Sequence, residues 1–214
     1  MNLAGLPTES ISSTIIEDIK AVCEDGQASM AYFYFDFRDV NKQHLHDLIP
    51  SLLVQLSVHS HRHHDILSRL YKDHNSKTRP SDIVFVTYLK EILSNFPPGR
   101  PIYLVMDALD ECPDFPGVPS PRERVLRFVK ELVDLHLPNL HICVTSRPEA
   151  GIQDVLEPLT FLEVSLHNQS GQKEDIVDYV KLFVHSEKEQ IMKNWNEDDK
   201  NLVIDELSKR ANGM

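Results

Sequence analysis

Residues 102–111 read Ile-Tyr-Leu-Val-Met-Asp-Ala-Leu-Asp-Glu, five apolar residues followed by three carboxylates. A continuous apolar run of this length is the pattern of a parallel strand buried on both faces. In an open α/β sheet the C-terminal tips of such strands face the crevice where ligands bind. The run would therefore deliver Asp107, Asp110 and Glu111 there. A carboxylate in that position holds Mg²⁺, usually through water, and an adjacent acid can orient an attacking water. The alternative is that Asp107 and Asp110 merely cap the loop and solvate it. A second apolar run, residues 140–144 (Leu-His-Ile-Cys-Val), ends in Thr145-Ser146-Arg147-Pro148, setting a hydroxyl and a guanidinium at another strand tip. Arg147 there can sense a γ-phosphate through charge-assisted hydrogen bonds, or pair with Asp107, Asp110 or Glu111.

The segments around these tips alternate between helical and strand periods. Residues 11–22 carry Ile11, Ile15, Ile16 and Ile19 at helical spacing, and the aromatic-dense residues 29–37 read as a strand. A helix opening at Asn41 has Leu45, Leu48, Ile49, Leu52, Leu53 and Leu56 on its apolar face, with Pro50 as a kink point. Further helices are expected over residues 65–71 and, with Ser81-Asp82 as N-cap, over 83–93, where Pro97-Pro98-Gly99 ends the segment. The prolines of residues 112–121 make a loop, and 122–135 an amphipathic helix with Val125, Leu126, Val129, Leu132 and Val133 inward. A short helix near 151–156, a last strand over 160–166, and helices over 172–186 and 198–211 complete the reading. Strands alternating with helices imply an α/β fold, a three-layer and mainly parallel sheet. The one domain boundary falls near 167–172, giving residues 1–168 and 169–214.

The chain holds 22 basic and 33 acidic residues in 214, a formal net charge of −11. An excess of that sign offers no basic patch to displace counterions from phosphates, so nucleic acid is excluded as a nonspecific partner. There is no apolar run of about 18 residues, so no membrane span is expected. The first residues have neither the basic region nor the apolar stretch of a signal peptide. Cys23, Cys112 and Cys143 are widely spaced and odd in number. That pattern favours reduced thiols and a cytoplasmic location.

Eleven histidines include His59, His61, His63 and His64, with His44, His46 and His74 nearby. His59 and His63 at i, i+4 on a helix are a candidate transition-metal pair. The competing reading is a solvated helical surface that charges below about pH 6.5. Met192 and Trp195 read as packing of the C-terminal helices rather than as a ligand box.

The stretches STIIEDI, AYFYFDFRD, IYLVMDALDEC, HICVTSRPEAGI and the closing LSKRANGM together resemble fungal NACHT-type NTPases of the STAND group, with the nephrocystin-like N-terminal NTPase module as close kin. The resemblance covers nearly the whole chain. It implies a P-loop fold, with Asp107 at the Walker B magnesium position and Asp110 and Glu111 as the extra acidic pair in the catalytic role. It also places Arg147 at sensor 1, with Thr145 beside it. Its cofactor would be Mg·ATP or Mg·GTP, and its role a nucleotide-controlled signalling switch.

The sequence departs from that family at the phosphate loop. Where GxxGxGK[ST] belongs, the chain reads Gly5-Leu6-Pro7-Thr8-Glu9-Ser10, and none of its seven glycines precedes a lysine. Thr8 replaces the lysine, and Glu9 puts negative charge where phosphates need positive potential. Losing two charge-assisted contacts weakens binding by roughly 100-fold to 10⁴-fold. Only Met1 to Leu6 could supply the strand before that loop, and Asn2 and Gly5 make it a poor one. The expectation is thus an interaction module with an incomplete nucleotide site, marginally stable and inclined to self-associate or take a protein partner. An active Mg²⁺-dependent ATP/GTP hydrolase is the alternative. A sheet edge left open beside the strand ending at Thr145 follows from the same reasoning.

Overall fold

The computed structural model describes residues 11–58, 60–74, 80–115, 119–164, 181, 184 and 195–210. They divide into two compact units, with the boundary after Thr160.

The first unit is mixed α/β. Strands β1 (Ser29–Tyr34), β2 (Ile102–Asp107) and β3 (Leu140–Val144) form a parallel sheet in the order β1-β2-β3. The register pairs Ala31 with Leu104 and Leu104 with Ile142. Helices α1 (Ile11–Glu24), α2 (Leu45–Ser57), α3 (His61–Asp73), α4 (Asp82–Ser94), α5 (Pro121–Val133) and α6 (Ala150–Leu156) surround it.

Side chains alternate across each strand, so the sheet has two faces of different character. Ala31, Phe33, Ile102, Leu104 and Met106 join the main core with Leu48, Leu52, Leu89, Ile92, Val125 and Phe128 of α2, α4 and α5. On the opposite face Met30 and Val105 meet Ile16 of α1 in a much smaller cluster, bordered by Tyr32, Tyr34, Tyr103 and Cys143. β2 is buried along almost all its length, as its apolar run implies. β3 is half exposed from end to end, despite an equally apolar sequence.

Element boundaries moved where polar side chains intervene. β1 stops at Tyr34 rather than Phe37, because Asp36 turns the chain by accepting from the Arg38 N–H at 2.9 Å. The helix expected from Asn41 starts at Leu45; before it a 3₁₀ turn, Val40–Lys42, is capped by Asp39, which accepts from the Asn41 N–H. α2 runs on through Pro50. Ser81 precedes α4 without a side-chain cap, and its carbonyl takes the N–H groups of Val84 and Phe85 instead. Ser120 closes a full capping box with Glu123 at the start of α5.

The strand expected over 160–166 is not one across 160–164, where Phe161, Leu162 and Val164 are exposed. Among the described residues these apolar side chains have no sheet neighbour to satisfy their backbone, so the pattern alone does not make a strand. The remaining two positions of that expected strand lie outside the described residues, as do Gly5 to Ser10, Met192, and nearly all of 172–186. In the second unit, α7 (Glu197–Arg210) is preceded by Asn196, whose side chain accepts from the Asp199 N–H at 2.8 Å, and buries Ile204.

One residue of the histidine cluster departs from the solvated-surface reading, while His61 and His64 are exposed as that reading expects. His63 is 3% exposed and lies against Phe96, with ring centroids 4.3 Å apart, so it is a core residue rather than part of a solvated face. His59 lies outside the described residues. No group of three or more His, Cys, Asp or Glu side chains is placed to hold a metal ion among the described residues.

Candidate functional site

The three carboxylates and Arg147 come together at the C-terminal ends of β2 and β3, because the two strands are adjacent and parallel. Asp107 is the last residue of β2, and its Oδ1 accepts from the Thr145 hydroxyl at 2.5 Å. The same hydroxyl oxygen accepts from the Ala108 N–H at 3.0 Å. The Thr145 backbone accepts from Leu109 and donates to Met106, both at 3.0 Å. One threonine thus ties the two strand tips together by side chain and main chain.

Ala108 then adopts a left-handed conformation, φ 54° and ψ 50°. This costs an L-residue about 1–2 kcal/mol. The sharp turn drives Leu109 into the core, fully buried, and opens a 3₁₀ turn, Leu109–Glu111, that carries both further acids. Strain held by surrounding bonds at a strand tip is common at sites that must keep one geometry.

Each further acid has a backbone N–H as partner. Asp110 is 8% exposed at its side chain, accepts from the Arg147 N–H at 3.0 Å, and lies 3.4 Å from Arg147 Nε. The Arg147 side chain is 81% exposed, so one end of this ion pair is fixed and the other is free to move. Glu111 accepts from the Phe37 N–H at 3.2 Å and so joins the loop after β1 to the acidic loop. Beside it, Asp36 is held down to about pKa 2 by hydrogen bonds from the Arg38 side chain and backbone. Gln43 closes this loop by donating to the Phe37 carbonyl at 2.6 Å.

Two features near the site were not singled out from the sequence. Cys112 is buried, donates from Sγ to the Gln43 carbonyl at 3.1 Å, and has its thiol pushed up to about 12 by burial. Arg122, at the start of α5, is likewise buried, and its guanidinium bonds to the acidic loop. The Ser120-x-x-Glu123 spacing is a capping signature that could have located the helix start, but nothing in the spacing distinguishes the arginine between.

As a magnesium site the donor set is sparse. Asp107 supplies one carboxylate with the Thr145 hydroxyl beside it. That fits Mg²⁺ held through water and completed by substrate phosphates, not an all-protein cage. Asp110 and Glu111 each accept one backbone N–H, which fixes their carboxylates and leaves further acceptor sites on them to orient a water.

No curated protein and no solved structure matches the chain. A family model does match, that of the nephrocystin 3 N-terminal region, over residues 9–147. The matched span contains all three strands of the sheet, the acidic loop and Arg147. With most of its length covered by that model, the chain belongs to the nephrocystin 3 N-terminal family.

Proposed function

We propose that this chain is a NACHT-like signalling and interaction module of the STAND type, built on a P-loop NTPase fold, with an incomplete nucleotide site that does not hydrolyse nucleotide on its own. One observation carries the reading: Asp107 stands at the tip of a buried strand, tied to Thr145 of the neighbouring parallel strand, and Asp110 three residues on is paired with Arg147. That arrangement suits a magnesium-bound polyphosphate, with Asp107 holding Mg²⁺ through water and Thr145 and Arg147 beside the phosphates. The Thr8 and Glu9 positions supply none of the positive charge a phosphate loop needs.

Isothermal titration with Mg·ATP and Mg·GTP tests the proposal. Binding weaker than about 10 μM is expected; a tighter dissociation constant, beyond about −7 kcal/mol, overturns it. The alternative, an active hydrolase in which Asp110 and Glu111 act on the attacking water, draws on the same acidic tip. It predicts phosphate release that Asp107→Asn abolishes. The module's partners would be proteins in the cytoplasm, including further copies of itself. Light scattering with thermal melting tests that part: a clean monomer melting above about 65 °C speaks against it.

A further inference from the structure

Arg122 is the second residue of α5, where the helix dipole favours anions over cations. It is 9% exposed. A buried guanidinium in that position must gain enough from its own bonds to offset both desolvation and the dipole. All three of its nitrogens are engaged. Nε donates to the Cys112 carbonyl at 3.0 Å and Nη2 to the Asp110 carbonyl at 2.6 Å. Nη1 pairs with the Glu149 carboxylate, and Asp114 lies 3.7 Å away.

Two of these partners belong to the acidic loop, and the third is the residue that precedes α6. Between them lies Arg147, bonded to the Asp110 side chain and two residues before Glu149. The Glu149 carbonyl in turn accepts from Ile152 and Gln153 in the first turn of α6, at 3.0 and 2.9 Å. The planar fork reaches in three directions at once, which a lysine cannot do.

We infer that Arg122 is a positioning residue that couples the acidic loop to the first turn of α6, so that the Asp110–Arg147 contact and the start of α6 move as one. An anion that draws Arg147 off Asp110 would then be felt at α6. That use of the coupling rests on the signalling reading proposed above; the coupling itself does not.

Amide hydrogen exchange on the full chain, with no ligand added, tests it. Glu149→Gln keeps the size of the side chain and removes its charge; Arg122→Lys keeps the charge and removes the fork. Glu149→Gln is expected to speed exchange about tenfold at Ile152 and Gln153 and also at Glu111 and Cys112, as loss of one charge-assisted bond allows. Arg122→Lys should give the same two-ended signature, and the double variant should add nothing to it. A merely structural role for Glu149 would speed exchange in α6 alone, and that result overturns the inference, as does simple additivity. Should Arg122→Lys fail to fold, Glu149→Gln decides alone, since it leaves the bonds from Arg122 to both carbonyls in place. Calorimetry with nucleotide decides the proposed function separately, so the two can fail independently.

Discussion

On β1 the edge away from β2 is covered at Tyr32 by a side chain. Gln55 of α2 accepts from the Tyr32 N–H at 3.0 Å and donates to the Tyr32 carbonyl at 2.8 Å, with its amide also donating to Ser51 at 3.1 Å. On β3 the edge carries no such cover among the described residues. Ile102 donates to the Asn139 carbonyl and Thr145 to the Met106 carbonyl, at 2.8 and 3.0 Å. Those bonds fix which residues face β2, and they turn the backbone of Ile142 and Val144 outward. An amide side chain satisfies the donor and acceptor of one residue without offering an edge to another chain. Among the described residues, then, side-chain cover is seen on the β1 edge, at Tyr32, and not on the β3 side that bears Thr145 and Arg147.

The largest effect expected from this asymmetry comes from two register partners on one face, Leu104 and Ile142. Leu104 is fully buried and Ile142 half exposed. Leu104→Ala should cost about 3–4 kcal/mol in urea unfolding, and Ile142→Ala about 1–2 kcal/mol. Equal losses would mean that β3 is covered as well as β2 and would break the comparison.

Removing the cover on β1 comes next. Gln55→Leu leaves the N–H and C=O of Tyr32 without partners and should cost about 1–3 kcal/mol. The exposed edge should also raise the light scattering of concentrated samples. A variant as stable and as clear as the parent would show that the body of α2 suffices without the amide.

Acid should loosen the β1 side through His63. Burial lowers the His63 pKa more than the carbonyls of Asn95 and Leu56 raise it, and the cations Arg62 on its own helix and Arg100 after α4 lower it further. Its Nδ1 is buried without a hydrogen-bond partner. The native state therefore keeps His63 neutral, while the unfolded chain takes up a proton near pH 6.5. Its contribution is complete above about pH 6.5 and is lost as pH falls toward the lowered native value. Urea midpoints between pH 7.5 and 5 should fall less steeply in His63→Leu than in the parent chain. Identical slopes would refute the assignment.

The smallest effect is a difference in thiol reactivity. Burial raises Cys143, with Asp107 adding to the shift, but this side chain is half exposed on β3. Cys112, pushed up to about 12 and buried, should react with a thiol reagent only on unfolding. Cys143 should react in the native protein, and faster as pH rises. Native labelling of Cys112 ahead of Cys143 would reverse the picture.

Much of the sheet and its helices was legible because periodicity reports burial. The run from Ile102 to Met106 and the heptad-like leucines of α2 gave a buried strand and a core helix near their true bounds. The acidic tip was legible for the same reason, since a strand that ends in Asp107 must present it at the end of the sheet. Less legible was anything settled by a single polar contact. Asp36 shortens β1, Asp39 creates a separate turn before α2, and no local pattern distinguishes these aspartates from solvated ones. His63 was misread because its helix is polar on most positions, and only the approach of Phe96 reveals which face is inward.

The sequence by itself determined most element types and put three carboxylates and an arginine at two strand tips, because hydrophobic spacing is a local property, and the alternation of strands with helices implied that the strands run parallel. Only the tertiary structure decided that β2 lies between β1 and β3 and that β3 is an edge among the described residues, since β2 and β3 read alike until their neighbours are known. It alone decided, too, that Thr145 ties the two strand tips together and that Arg122 reaches across to Glu149. Those bonds join residues far apart in the chain, and their geometry exists only once α5 and α6 have packed beside the acidic loop.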